Sequence, residues 1–186
     1  DGSIATGLMK IPIADFPMPQ NATLKTATLN LYPEWGSSSD QRISIHALNG
    51  TWNESATGTT RDGSVNWNAA GALGVLDANR NFVDVQDVSP TNWMTFDITE
   101  IAQSVHASGS GYIQLLIAGD DDTGLVKITS VDETTTPMDK PWLNLTWTTG
   151  VQNASESAAS ALSPLNGDTL WNNSGVALLP SGSPTF

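Results

Sequence analysis

The chain has 186 residues, with 7 Lys and Arg against 19 Asp and Glu, which gives a formal net charge of −12. So large an acidic excess disfavours binding to nucleic acid or to an anionic membrane surface. The absence of cysteine excludes disulfides, zinc–thiolate sites and thiol catalysis, and no apolar run reaches the ~18 residues of a membrane span.

Alternation of apolar and polar residues with a period of two dominates the sequence and predicts β-strands. The first candidate, GLMKIPI, resembles an edge strand, because Pro12 has no N–H to donate to a ladder. The second, LKTATLNLY, places Ala27, Leu29 and Leu31 on one face. The third, RISIHAL, alternates in the same way and is rich in the β-branched residues that favour strands.

The segment from Asn49 to Ser89 is long and poorly periodic, and it carries Trp52, Trp67 and Phe82 among polar residues. Three large aromatic side chains are costly to leave in water. We therefore expect part of this segment to be an ordered loop, with Trp67 in the core.

One segment has helical spacing. FDITEIAQSVHAS repeats apolar residues at Ile98, Ile101 and Val105, and Asp97 or Thr99 is a suitable N-cap. This pattern predicts a short helix of about two turns.

Three further strand candidates follow the helix: YIQLLIAG, LVKITSV and PWLNLTWT. In the last of them, Leu143, Leu145 and Trp147 share one face. Together these elements predict an all-β fold, a two-sheet antiparallel sandwich with one short helix on a connection.

The composition changes after Thr149. Residues 150–164 are small and polar and predict a linker, whereas residues 165–186 carry too much apolar area for a disordered tail. We therefore divide the chain into a sandwich at residues 1–149, the linker, and a strand segment at residues 165–186 that is buried against another sheet.

The order of several segments resembles a known family. These segments are GLMKIPI, ATLKTATLNLY, ISIHAL, TWNES, SVNWN, WMTFDITEIAQSV, YIQLLIAG and PWLNLTW, and they cover roughly residues 5–148. The order is similar to that of the DNRLRE-type domain, also called disaggregatase-related, some members of which are grouped with carbohydrate-binding modules. The resemblance implies a jelly-roll-like β-sandwich that serves as a module of large secreted or surface-anchored proteins.

The chain departs from that family in two places. GTTRDG lengthens the loop between the two Trp motifs, and the family's opening strands do not precede GLMKIPI. A stretch similar to those opening strands, DTLWNNSGVALL, lies instead at residues 168–179, as in a cut or permuted domain. The resemblance thus leaves open a repeat unit, a subunit that completes its neighbour, and a chain that closes on itself.

Our preferred hypothesis is an extracellular structural protein. In it, identical copies or tandem repeats assemble head to tail into a cell-surface filament or stalk by β-strand complementation. The residues predicted to form the complementing segment are Asp168, Leu170, Trp171, Val176, Leu178 and Leu179.

The alternative hypothesis is a carbohydrate-binding module of a secreted or surface-anchored multidomain protein, with glycans as partners. Exposed aromatic rings stack on the apolar faces of sugars. The candidate glycan platform consists of Trp35, Trp52, Trp93 and Trp142, although each of these residues would equally suit a core or an interface.

Cofactor chemistry has one candidate. Asp120, Asp121 and Asp122 offer the hard oxygen ligands that Ca²⁺ prefers, although the same run would suit a solvated turn. Two histidines in the whole chain nearly exclude a site with several His ligands. We predict no other cofactor.

Catalytic motifs are missing from the sequence. There is no Gly-x-Ser-x-Gly elbow and no Gly-rich phosphate loop, and the five glutamates are scattered. We therefore predict that the chain is not an enzyme, and a lyase or hydrolase fragment is the weakest hypothesis.

Asn-x-Ser/Thr sequons slightly exceed the number expected by chance, which favours secretion. The candidate glycosylation sites are Asn21, Asn49, Asn53, Asn144, Asn153 and Asn172.

Overall fold

The structure, a computed structural model, describes most of the chain. The described residues are 6–16, 18–19, 21–36, 41–79, 81, 83–88, 92–119, 126–129, 139–149, 158–164, 170–172 and 177–178.

The described residues form twelve strands and one α-helix. In chain order they are β1 (Thr6–Pro12), β2 (Ala22–Leu31), β3 (Pro33–Gly36), β4 (Arg42–Ala47), β5 (Asp84–Asp87), β6 (Met94–Asp97), α1 (Thr99–Ser108), β7 (Tyr112–Gly119), β8 (Val126–Ile128), β9 (Trp142–Thr149), β10 (Ala158–Pro164), β11 (Leu170–Asn172) and β12 (Ala177–Leu178). They pair into a six-stranded sheet of order β12-β11-β1-β7-β4-β5, a four-stranded sheet of order β10-β9-β2-β6, and a β3-β8 ribbon. All pairs are antiparallel.

The two large sheets enclose one hydrophobic core, which confirms the predicted sandwich. The alternation of the sequence becomes alternation of burial: Leu29 and Leu31 of β2 belong to the same core as Ile113 and Leu115 of β7, and all four are inaccessible to solvent. Burial of a side chain of this size contributes about 1.5–3 kcal/mol. The same alternation sends the intervening polar residues of β2 and β9 to the outside of the four-stranded sheet.

Helix α1 covers an edge of β2. β6 pairs only with the last four residues of β2, and the helix lies beside the remainder. Gln103 Nε2 donates to the Leu24 carbonyl at 3.1 Å, and His106 Nε2 donates to the Ala22 carbonyl at 2.8 Å. These bonds satisfy backbone acceptors that an edge strand would otherwise expose.

The helix is longer than predicted, at ten residues instead of about two turns. Asp97 caps its first turn by accepting the Thr99 N–H at 2.9 Å, although Ile98 occupies the formal N-cap position. The helix ends at Gly109, whose φ of 67° is the left-handed conformation that glycine adopts most readily.

The loop at residues 49–79 is ordered, as its aromatic content predicted, and it packs against the outer face of the six-stranded sheet. The buried residues that join loop and sheet, here called the loop cluster, are Leu8, Leu48, Trp52, Ala56, Trp67, Ala72, Ala78 and Leu116. Trp67 is therefore buried, but beneath this loop and not between the sheets. Because the loop packs on this face, the candidate binding surface is the outer face of the four-stranded sheet.

Asp77 organises the end of that loop. Its carboxylate accepts the N–H groups of Asn68 at 2.8 Å, Ala69 at 3.0 Å and Gly74 at 3.2 Å. Three donors satisfy a carboxylate that is only 9% exposed, so they fix the loop backbone around one side chain.

After residue 150, one segment differs from the predicted linker and another shows where the predicted strand segment pairs. Ala158–Pro164, predicted to belong to a linker, is β10 and pairs with β9, with Leu162 opposite Asn144. Backbone hydrogen bonds along the free edge of β9 favour this pairing even for small side chains, and Pro164 is tolerated at the end of an edge strand. β11 lies against β1 of the same chain, in the self-closed arrangement that the sequence left open.

Candidate functional site

The outer face of the four-stranded sheet is a regular polar surface. Across the β2–β9 ladder, Thr26 pairs with Thr146, Thr28 with Asn144 and Asn30 with Trp142. On the other side of β2, Thr95 of β6 lies opposite Asn30. This surface is here called the polar face. It carries a row of hydroxyl and amide side chains, with Trp142 at one end.

Hydrogen bonds between side chains hold this face in place. Thr95 Oγ1 donates to Asn30 Oδ1 at 2.9 Å, and Asn30 Nδ2 donates to the Thr28 carbonyl at 3.3 Å. The Oγ1 atoms of Thr26 and Thr146 share a bond of 2.5 Å. A surface fixed in this way loses little conformational entropy when a ligand binds.

Three aromatic rings gather at one end of the polar face. The Tyr32 and Trp93 ring centroids are 5.3 Å apart, and those of Trp93 and Trp142 are 6.1 Å apart, both with edge-on geometry. Trp93 is 38% exposed, while Tyr32 and Trp142 are half-buried. These three residues are here called the aromatic cluster. The indole of Trp93 is partly exposed to solvent, and the rings of Tyr32 and Trp142 pack against it.

Local structure explains the position of each ring. Tyr32 follows β2, Trp93 precedes β6 and Trp142 opens β9. In the four-stranded sheet, β2 lies between β9 and β6. The β3–β8 ribbon continues from the same end, because the Thr129 N–H donates to the Tyr32 carbonyl at 2.8 Å. An ion pair between Lys127 and Glu34 joins the two strands of the ribbon.

The structure brings together two of the four tryptophans predicted as a glycan platform, Trp93 and Trp142. Trp52 is 3% exposed within the loop cluster, so the expectation that its ring presents a stacking face is corrected. Trp35 lies on β3, and its side chain is outside the described residues. Sequence reasoning missed Tyr32, although its place at the end of the LKTATLNLY run was a usable signal.

The predicted calcium ligands Asp120, Asp121 and Asp122 lie outside the described residues. Within the described part of the chain, no group of three or more His, Asp or Glu side chains is arranged to hold a metal. Calcium binding therefore stays a prediction. Both histidines are engaged with backbone carbonyls, His46 with Asn79 and His106 with Ala22.

Predicted glycosylation sites differ in accessibility. Asn21, Asn49 and Asn53 are exposed outside the strands, and the Asn53 Oδ1 accepts the Ser55 N–H in a local turn. Asn144 is half-buried in the middle of β9, where the strand geometry hinders modification. Asn153 lies outside the described residues.

Little of the predicted complementing segment is described. Leu170 and Trp171 belong to β11, Leu178 belongs to β12, and only their backbone is described. The remaining members, Asp168, Val176 and Leu179, lie outside the described residues.

One carboxylate outside the polar face has a shifted pKa. The N–H groups of Val65 and Ser64, together with the Ser64 hydroxyl, lower the pKa of Asp62 below its ordinary value, and Arg61 adds a small contribution in the same direction. All three donors lie at 2.7–2.9 Å from Asp62 Oδ1. The shift therefore belongs to a tight turn in the loop.

Two packed sheets, with an ordered polar face that ends in a partly exposed aromatic cluster, define a β-sandwich module with a candidate binding surface. The family described as carbohydrate-binding module family 96 matches residues 14–147. The chain belongs to this family. No curated protein matches the chain.

In the described part of the chain, no helix is both long and apolar enough to cross a membrane.

Proposed function

We propose that the chain is a carbohydrate-binding module and that it binds glycans across the aromatic cluster and the adjoining polar face. The observation that carries this proposal is the partly exposed Trp93, braced by Tyr32 and Trp142 beside hydroxyl and amide groups. Membership of a carbohydrate-binding family supports the same conclusion.

The chemistry of this surface suits a sugar. The exposed ring of Trp93 offers an apolar area for the C–H face of a pyranose, which removes both surfaces from water. The exposed Thr95 and the half-buried Thr28 offer hydroxyl groups to adjoining sugar units, and the buried Asn30 holds Thr95 in place. The outer face of a sheet suits the side of a polysaccharide chain better than a small enclosed ligand.

The experiment is isothermal titration calorimetry against a panel of neutral and acidic polysaccharides, with Trp93→Ala and Trp142→Ala compared to the wild type. We expect at least one polysaccharide to bind, and Trp93→Ala to lower its affinity about tenfold or more, since a lost stacking contact of this kind is worth roughly 1–2 kcal/mol.

Leu76→Ala is the matched control, because Leu76 is a large apolar residue that is 72% exposed on the loop at the other sheet. Its substitution should leave the affinity unchanged. If no polysaccharide binds, or if Trp93→Ala and Trp142→Ala bind like the wild type, the proposed function is wrong.

The proposal extends to location and partners. The proposed binding of polysaccharides would suit a module of a secreted or surface-anchored protein, and its acidic charge of −12 suits solubility there. A module of this kind needs no catalytic centre of its own, which agrees with the sequence-based prediction that the chain is not an enzyme.

A second proposal concerns assembly by strand complementation. In this chain β11 adds to the edge of its own β1, with Gly7 opposite Asn172 and Leu8 opposite Trp171. The same main-chain bonds would form if β11 came from an identical copy, and successive copies would then build a filament.

Light scattering and negative-stain imaging test this second proposal on the full chain and on a chain that lacks residues 165–186. We expect the full chain to form head-to-tail assemblies and the shortened chain to remain monomeric. Monomers from the full chain at every concentration, or equal assembly of the shortened chain, would contradict strand complementation without affecting glycan binding.

A further inference from the structure

A cleft lies between helix α1 and the adjoining ends of β4 and β7 in the six-stranded sheet. Its volume is about 330 Å³, near the lower end of the ~300–1,000 Å³ range of ligand pockets. Ile101 and Val105 of the helix contribute apolar walls, and Glu100, Ser104, Tyr112 and Gln114 contribute polar groups.

Three polar residues around this cleft, Glu100, Ser104 and Tyr112, are exposed. Within the described residues, neither the Glu100 carboxylate nor the hydroxyls of Ser104 and Tyr112 have a hydrogen-bond partner. Tyr112 is 41% exposed, and Lys10 Nζ lies 4.3 Å from its ring centroid, which covers part of the ring. On the polar face, Thr26 and Thr146 bond to each other and Thr95 bonds to Asn30, whereas Asn144 Oδ1 has no partner.

Gln114 carries one of five buried side-chain atoms that have no hydrogen-bond partner among the described residues, and it is the one of the five that borders this cleft. Its Oε1 atom is buried and has no hydrogen-bond partner, which is costly for an amide oxygen. The side chain borders the cleft, so rotation of the amide toward the opening would let it accept a hydroxyl from a bound molecule.

The charge of the cleft limits the ligand. Glu100 is the one charged side chain among the described residues that line it, and the whole chain carries a net charge of −12. An anionic ligand would meet the Glu100 carboxylate and the acidic charge of the chain, and the one cation beside the described lining, Lys10 above the Tyr112 ring, offsets only part of that repulsion. A hydroxyl-rich neutral ring would donate to Glu100 and Gln114 and would contact Ile101 and Val105 with its C–H groups.

We propose that this cleft is a second saccharide site, which takes a single neutral sugar unit such as the end of a glycan chain. The site is separate from the aromatic cluster, and it would let the module hold a chain end while the polar face binds the side of a polysaccharide.

Amide NMR spectra of the whole chain test the proposal, recorded during titration with the methyl glycosides of glucose, galactose and mannose, and with glucuronate as the charged comparison. At least one neutral glycoside should shift the amide signals of Ser104, Tyr112 and Gln114. Glucuronate should bind at least about tenfold more weakly. Glu100→Gln should lower the affinity for the neutral glycoside about tenfold, because a charge-assisted hydrogen bond is lost.

Trp93→Ala is the control that separates the two sites, and it should leave these shifts unchanged even if polysaccharide binding at the aromatic cluster is lost. Ser104→Ala gives a second test at an exposed helix position and should also weaken binding. The proposal is overturned if no neutral glycoside shifts the three amides, if glucuronate binds equally well, or if both variants bind like the wild type.

Discussion

At the scale of single residues, the tryptophans show how surroundings decide a role that residue type leaves open. Trp52 and Trp67 lie under the loop at residues 49–79, whereas Trp93 stays 38% exposed at the end of the four-stranded sheet. Nothing in the sequence next to Trp52 distinguishes it from Trp93 as a candidate platform residue. The difference arises from long-range packing, since the loop covers one sheet and leaves the other open.

Asp62 gives a prediction about pH. Its lowered pKa means that the turn bonds form with the ionised carboxylate, so they stabilise the loop at pH values above the unfolded pKa and are lost as pH falls through the lower folded pKa. Ser64→Ala removes one of the three donors and should raise the pKa of Asp62 part of the way toward its ordinary value.

Carboxyl ¹³C NMR during an acid titration measures that change. Ser108→Ala, at an exposed position on the helix, is the control and should leave the titration of Asp62 unaltered. An Asp62 titration that is the same in Ser64→Ala as in the wild type would show that the turn does not act on the carboxylate.

At the scale of elements, strands with long alternation were predictable, whereas among the short strands β8 was predicted, within the LVKITSV run, and three others were not. β2, β7 and β9 follow from alternation alone, because each has eight or more residues and one fully buried face. β3, β5 and β6 have four residues each, too few for a period of two to be recognised. Their positions depend on pairing with distant strands, which local sequence does not encode.

The aromatic cluster was half predictable for the same reason. Trp93 and Trp142 were candidates because large exposed aromatics suit sugars, but their proximity depends on β6 and β9 both flanking β2. Tyr32 was missed because it ends a strand run and was assigned to the sheet. The cleft beside helix α1 could not be predicted, since it arises where the helix meets the ends of two strands.

The loop that covers the six-stranded sheet supplies a prediction about stability. A Cβ at Gly74 would lie 2.5 Å from Asn68 Oδ1 and 2.6 Å from Asp77 Oδ2. Because Asp77 is held by three backbone N–H groups, it cannot move aside without losing them. Gly74→Ala should therefore lower the free energy of unfolding by about 2–3 kcal/mol, the upper part of the range for overpacking.

Chemical denaturation followed by fluorescence checks this value. Gly111→Ala is the matched control, because a Cβ there meets nothing within 4 Å, and its effect should stay within about 0.5 kcal/mol. Equal stabilities of the two variants would mean that the contact between Gly74 and Asp77 does not constrain the loop.

At the scale of the whole molecule, the residues that stabilise the fold and the residues proposed to bind glycans lie in different parts of the sandwich. The two sheets and the loop cluster bury most of the large apolar residues among those described. Helix α1 meanwhile covers the free edge of β2, which keeps that edge from pairing with other chains. This division leaves the polar face, with its aromatic cluster, free to change in chemistry without loss of the fold.

The central claim is that glycans bind at the aromatic cluster, and the indole N–H signals of the seven tryptophans test it most directly in an NMR titration with a polysaccharide fragment. Binding at this site should shift the signals of Trp93 and Trp142 and leave those of the buried Trp52 and Trp67 in place. If saturating glycan leaves the Trp93 and Trp142 signals unmoved, the proposed binding site is wrong.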